Sequence, residues 1–244
     1  MVRPRVRDLF QAFYPAYRGE EGVFRRHLAA ALAGANHALD VGCGSGVLCS
    51  HDLRGEGRVV VGIDPDPGIA RNPWVTHAVR AGVTALPLAA ESADLVVARY
   101  VLEHVDDPGL AFREIARVLR PGGRFVFLTP NAFHYVAMIA RFTPTWLHRL
   151  TKAGHGVEAD DVFPTLYRAN TGGAIRRLAA DAGFRVASIE WFEASPNYLE
   201  FSRVLYRLGV LYERTVSRFT FLAGLRVSIV ATLVKLPDGT PVSH

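Results

Sequence analysis

Leu39-Asp40-Val41-Gly42-Cys43-Gly44-Ser45-Gly46 is the stretch whose reading decides the fold. A short apolar run, 38–41, leads into it, and three glycines spaced two apart follow an acid. Without side chains, glycines let the backbone turn sharply and approach a ligand closely. The turn is expected to follow a strand and to open a helix, the context that a nucleotide-binding turn requires. Eighteen residues beyond Gly46, the run 59–63 ends in Asp64-Pro65. An acid at that strand end can accept hydrogen bonds from both hydroxyls of a ribose.

Spacing separates the candidate ligands. A dinucleotide fingerprint, G-x-G-x-x-G, wants a glycine where this chain has Val47. No G-x-x-x-x-G-K-[ST] follows, so a triphosphate site is unsupported. The pattern here is D-x-G-x-G-x-G.

Outward from the turn, 95–98 and 125–128 are further apolar runs of the kind that form buried parallel strands. Between them a helix is expected with Asp107 as cap, Pro108 at its first position and Pro121-Gly122-Gly123 as its stop. A later helix should run from Thr171 to Gly183, followed by strands at 184–192 and 225–234. Alternating strands and helices predict a doubly wound α/β sheet in one domain spanning 1–244. Segments 1–35, 132–170 and 193–223 exceed that alternation and are expected to build a helical lid and the substrate wall.

Composition narrows the class. The chain has 244 residues, 50% of them hydrophobic and 21% charged, which excludes disordered, collagen-like and disulfide-stapled proteins. Cys43 and Cys49 are too few for a disulfide framework and point to a reducing cytoplasm. The 28 basic residues exceed the 23 acids, yet only Lys152 and Lys235 are lysines. That arginine bias weakens any inference from charge to nucleic acid.

Residues 40–46, Asp64, Ala93-Asp94-Leu95-Val96-Val97, Val101-Leu102-Glu103-His104-Val105 and Leu119-Arg120-Pro121-Gly122-Gly123 together resemble the class I S-adenosylmethionine-dependent methyltransferases. The likeness is to the small-molecule branch that includes ubiquinone-type enzymes, and it covers 39–130. It implies a Rossmann-like seven-stranded sheet with an antiparallel last strand. It also implies S-adenosyl-L-methionine as cofactor, S-adenosyl-L-homocysteine as product and a small-molecule acceptor. By position, the resemblance sets methionine against Asp40, Gly42, Cys43, Gly44 and Gly46, ribose on Asp64 and adenine along Pro65. Arg99 would lie near the transferred methyl. Gly82 stands where many relatives have an acid for the adenine amino group, which leaves the Val83 backbone N–H for that contact.

The acceptor is expected to be an oxygen of a small, lipid-linked or sugar-linked metabolite. A nitrogen acceptor and a catalytically silent binding module are the alternatives. Base-methylating relatives resemble one another in D/N-P-P-aromatic, whereas this chain reads Ala98-Arg99-Tyr100-Val101, which disfavours nucleic acid. His104 is the first candidate for general base and His134 the substitute, because imidazole accepts a proton near neutral pH. Tyr135, Tyr167 and Arg168 are expected to face the acceptor. His155-Gly156-Val157-Glu158-Ala159-Asp160-Asp161 matches no established ligand spacing, so no metal is expected.

Across 198–221 a helical period gathers Arg203, Arg207, Arg214 and Arg218 in one stripe. Leu205, Leu208, Leu211, Tyr212 and Phe219 fall opposite. The favoured reading is a lid that buries this apolar side, and the rival is peripheral contact with a membrane surface.

Overall fold

The computed structural model describes residues 3–15, 21–47, 51–142 and 165–237. Seven strands form one sheet: β1 His37–Val41, β2 Val59–Asp64, β3 His77–Arg80, β4 Ala93–Arg99, β5 Leu119–Pro130, β6 Phe184–Phe192 and β7 Ser228–Lys235. Their order is β3-β2-β1-β4-β5-β7-β6. Strands β1 to β5 pair in parallel, while β7 is antiparallel to both neighbours. β6 therefore points the same way as β5. The carboxyl ends of six strands share one edge with the amino end of β7.

Helices cover both faces. On one side α3 (Pro108–Val118) and α5 (Gly172–Asp181) bury Phe112, Ile115 and Ile175 against Phe125, Phe127 and Phe184. The Phe112 and Phe125 rings meet edge to face at 5.6 Å. On the other side α2 (Glu21–Leu32) sets Phe24 and Leu28 on Val97, Val126 and Val230. The expected caps are in place. Asp107 accepts from Leu110 N, Thr171 accepts from Ala174 N, and Gly183 takes φ +78° just past α5.

Several expectations are corrected. No helix follows the glycine turn among the described residues between β1 and β2. Arg58, at the end of this link, donates to the carbonyls of Leu32, Ala35 and Leu53. Pro121-Gly122-Gly123 does not stop α3, which ends at Val118. Leu119 already pairs with Ala93, and the triplet lies in the register shift before Arg124 pairs with Leu95. The last strand starts at Ser228 rather than 225, after a 3-10 turn, Thr220–Leu225.

The largest correction concerns α6 (Arg203–Arg218). It buries Tyr206, Gly209, Val210 and Val216, whereas Leu205, Leu208, Leu211 and Phe219 are exposed. The expected lid face is thus turned outward, and at about 100° per residue Leu211 falls beside the arginine stripe rather than opposite it. The reason is a second apolar row, captured by α1 (Arg7–Phe13), whose Leu9 joins Val6, Tyr206 and Val210 in a separate cluster. Gly209 sits so close to Pro196 and Leu199 that an added Cβ would lie 2.6 and 2.8 Å from their side chains.

Candidate active site

Parallel pairing of β1 and β2 sets the glycine turn beside the end of β2. Gly42, Gly44 and Gly46 take φ of +73°, +51° and +80°, a region costly for residues with a Cβ. Gly42 N donates to Ile63 O at 2.7 Å. Gly44 N donates to Asp64 Oδ2, and Asp66 N donates to Asp64 Oδ1, each at 2.8 Å. A Cβ at Gly42 would meet Val101 Cγ2 at 2.2 Å. At Gly44 the nearest atom would be Asp64 Oδ2, at 4.0 Å. The space over Gly44 and Asp64 is an open cradle with backbone on one side and a carboxylate on the other.

Two residues that sequence reading missed clamp this turn. Asn72 Nδ2 donates to Gly44 O at 2.9 Å and Cys43 O at 3.2 Å, and Trp74 Nε1 donates to Gly46 O at 3.1 Å. No motif marks them, because they act through backbone carbonyls after a loop. Asp40 is buried, its carboxylate 3.3 Å from His51 Nε2. Burial first, then the charges of Asp40 and Asp64, push the Cys43 thiol up to about 12, so it is no thiolate. Pro65 is exposed beyond Asp64, Val83 packs on the core, and Gly82 is open.

The end of β4 gathers a second group. The Arg99 guanidinium lies 5.0 Å from the Tyr100 ring centroid. Tyr100 itself takes φ +56°, a strained value for a non-glycine residue at a strand end. The 3-10 turn Leu102–His104 follows. Glu103 is buried and accepts from Thr129 Oγ1 at 3.2 Å. Thr129 Oγ1 in turn accepts from Asn170 Nδ2 at 2.6 Å. Desolvation lifts the Glu103 carboxyl to about 7. His104 is half-buried on the same turn. Tyr167 takes φ +54°, and exposed Arg168 pairs with Asp106 at 2.6 Å.

The ends of β5 and β6 hold a third group. His134 is buried, with Nε2 3.6 Å from Glu193 Oε1, and Val136 N faces its Nδ1 at 3.4 Å. That pattern puts the ring proton on Nε2, toward the carboxylate. Burial pushes His134 down to about 4, so it is neutral at pH 7. The Tyr135 and Tyr212 rings meet edge-on at 5.0 Å. His134, Tyr135, Glu193, Tyr198, Tyr212 and Glu213 line a small recess with a cavity volume of about 30 Å3.

The structure joins Tyr135 to His134, while Leu166 N donates to Glu103 O and Arg168 pairs with Asp106, so Tyr167 and Arg168 follow the turn that carries His104. Glu193 and Tyr212 were missed, since only the sheet order brings 134 and 193 together. Cys49 and the 155–161 stretch lie outside the described residues. Among the described residues no cluster of three or more His, Cys, Asp or Glu is placed to hold a metal ion. Nor is any described helix long and apolar enough to cross a membrane.

Residues 17–189 match the methyltransferase-domain family. The chain belongs to that family. The ubiquinone biosynthesis O-methyltransferase of Azorhizobium caulinodans is 37% identical over 129 residues, 46% of this chain and 49% of that protein. The protein of the same name from Bordetella avium is 34% identical over 146 residues, 54% of this chain and 58% of that one. The methyltransferase-family chain spans about half the length of the curated relatives it matches. A solved putative sarcosine dimethylglycine methyltransferase from Galdieria sulphuraria superposes with a TM-score of 0.57 at 18% identity, over 88% of this chain and 85% of that one. A methyltransferase from Mesorhizobium loti gives 0.56 at 20% identity, over 88% and 97%. At such identities these two share the fold.

Proposed function

We propose that this methyltransferase uses S-adenosylmethionine to methylate a hydroxyl oxygen of a small or lipid-linked metabolite, releasing S-adenosylhomocysteine. The observation that carries the reading is the cradle over Gly44, closed by Asp64 at the end of β2. It fits the cofactor. Each Asp64 oxygen already accepts one N–H and keeps a lone pair for a ribose hydroxyl. Gly44 leaves room for the methionine moiety, and Pro65 with the Val83 N–H lines the adenine. The bound cofactor supplies a methyl group on a sulfonium, which is already activated for displacement.

The chain's own residues then have to orient the acceptor and exclude water. The recess beside β5 and β6 has room for the reacting hydroxyl end of such an acceptor, with the rest of the acceptor outside it. Its tyrosines form the wall, the His134 Nε2–H points at Glu193, and the Glu193 carboxylate receives the acceptor's hydroxyl proton. The relatives named O-methyltransferases support oxygen as the acceptor. An amine is the second reading, held as its ammonium beside Glu193 and Glu213 against a wall of three tyrosines and deprotonated by Glu193 before its lone pair takes the methyl. A free Cys43 thiol suits a cytoplasmic enzyme.

The test incubates the protein and labelled cofactor with fractionated cell extract, then identifies the labelled product by mass. An O-methylated metabolite is expected. An N-methylated product would move the reading to the amine. Failure to bind S-adenosylhomocysteine in calorimetry would make the chain a silent module.

A further inference from the structure

The outward face of α6 is amphipathic in an unusual sense. At about 100° per residue, Val204, Leu208, Leu211 and Thr215 share one narrow arc. Val204, Leu208 and Leu211 are 65%, 55% and 63% exposed. Arg207 and Arg218 lie along one flank of that arc and are exposed, whereas Arg214 turns toward α1, its guanidinium 5.1 Å from the Phe13 ring centroid. The helix has a single carboxylate, Glu213, and it points the other way, accepting from the Tyr14 hydroxyl at 3.2 Å. Phe201 precedes the stripe and Phe221, 81% exposed, continues it. On α4 (Tyr135–Phe142), Met138 and Ile139 are exposed on the face that carries Tyr135, whose ring touches Tyr212 of α6.

We propose that this face docks on a bilayer containing anionic lipids. Val204, Leu208, Leu211 and Phe221 would enter the acyl boundary, and Arg207 and Arg218 would meet lipid phosphates. Charge complementarity selects this occupant. An apolar arc beside two cations, with no acid on the exposed side, is the pattern of helices lying in a membrane interface. Guanidinium groups match phosphate oxygens in a bidentate manner. Scattered surface leucines would need no explanation, but a continuous stripe along a helix about 24 Å long does. The face is oriented by construction, because α1 holds the opposite side of α6 through Tyr206 and Val210.

Docking does not depend on methyl transfer, but its consequence for the acceptor rests on that reading. Gly209 and Tyr212 of α6 line the recess together with exposed Tyr198. A bilayer under α6 brings the recess beside the lipid surface, which suits an acceptor carried on an isoprenoid or acyl chain.

The test sediments the full chain with vesicles of phosphatidylcholine alone or mixed with phosphatidylglycerol. Sedimentation with the anionic vesicles and its reduction by added salt are expected. The double variants L208E/L211E and R207E/R218E should each lose about tenfold or more in partitioning while keeping the parent far-UV spectrum. Absence of sedimentation with anionic vesicles would overturn the proposal. So would an L208E/L211E variant that is folded and sediments like the parent. A dimer seen by sedimentation velocity, dissolved by L208E/L211E and accompanied by no vesicle binding, would assign the face to a second copy instead. None of these measurements requires cofactor, so the docking can fail while the methyltransferase reading stands.

Discussion

Asp64 Oδ2 accepts a hydrogen bond from Gly44 N at 2.8 Å, tying the end of β2 to the turn after β1. The carboxylate is both a strut for the turn and the proposed ribose contact. Asp64→Ala should therefore weaken S-adenosylhomocysteine binding by about 1.5–3 kcal/mol, the range for hydrogen bonds to a charged group. Calorimetry measures it. Unchanged affinity in a folded variant would remove the ribose assignment.

The two neighbouring glycines should separate fold from binding. In Gly42→Ala the new methyl meets Val101 Cγ2 at 2.2 Å, so Tm should fall and the turn should shift. In Gly44→Ala the space is open, and the fold should lose only about 1–2 kcal/mol from the positive φ. Its methyl would occupy the cradle, so cofactor affinity should drop at least tenfold in about the same assay conditions. Thermal melts with and without S-adenosylhomocysteine check both. Equal Tm losses with equal ligand shifts would contradict the cradle.

Two buried groups should shape stability in opposite directions with pH. Desolvation raises Glu103 from 4.5 to about 7. The folded state therefore holds a proton that the unfolded chain has released, and stability falls as pH rises from 4.5, levelling above 7. Glu103→Gln should flatten that loss, with a difference of up to about 3 kcal/mol between pH 5 and pH 8. His134 is lowered from 6.5 to about 4, so its contribution is present above 6.5 and is lost as pH falls toward 4. His134→Gln should flatten that acid limb. Denaturant titrations across pH decide each variant, and parallel curves for parent and Glu103→Gln would refute the first.

The proposed proton acceptor is Glu193, whose carboxylate lies 3.6 Å from His134 Nε2. Glu193→Gln should slow single-turnover methyl transfer about 10²–10⁴-fold with cofactor affinity preserved. His104→Asn, at the β4 end, should lose less than about tenfold. The reverse pattern of losses would return the role to His104.

Local chemistry made much of this legible. Asp107-Pro108 and Thr171 are helix starts whose caps involve atoms three residues away, and the glycine turn declares itself through spacing. The outward face of α6 was not legible, because its two apolar rows are equally periodic. The choice between them is made by Val6 and Leu9, about 200 positions away in the chain. The recess was hidden for a related reason. His134 and Glu193 meet only because β7 brings β5 and β6 within reach. Asn72 and Trp74 act on backbone carbonyls, which no side-chain pattern records.

The position of β7 between β5 and β6 also bears on how the molecule is made. Among the described residues it is the last strand in sequence, yet it is an interior one, hydrogen-bonded on both sides. Until Ser228–Lys235 has emerged, β5 and β6 each present an unpaired edge, and β6 has no neighbour at all. Unpaired edges are templates for pairing with other chains. A chain cut just before Ser228 would lose two ladders rather than one, and its nascent form is the one that most needs a chaperone.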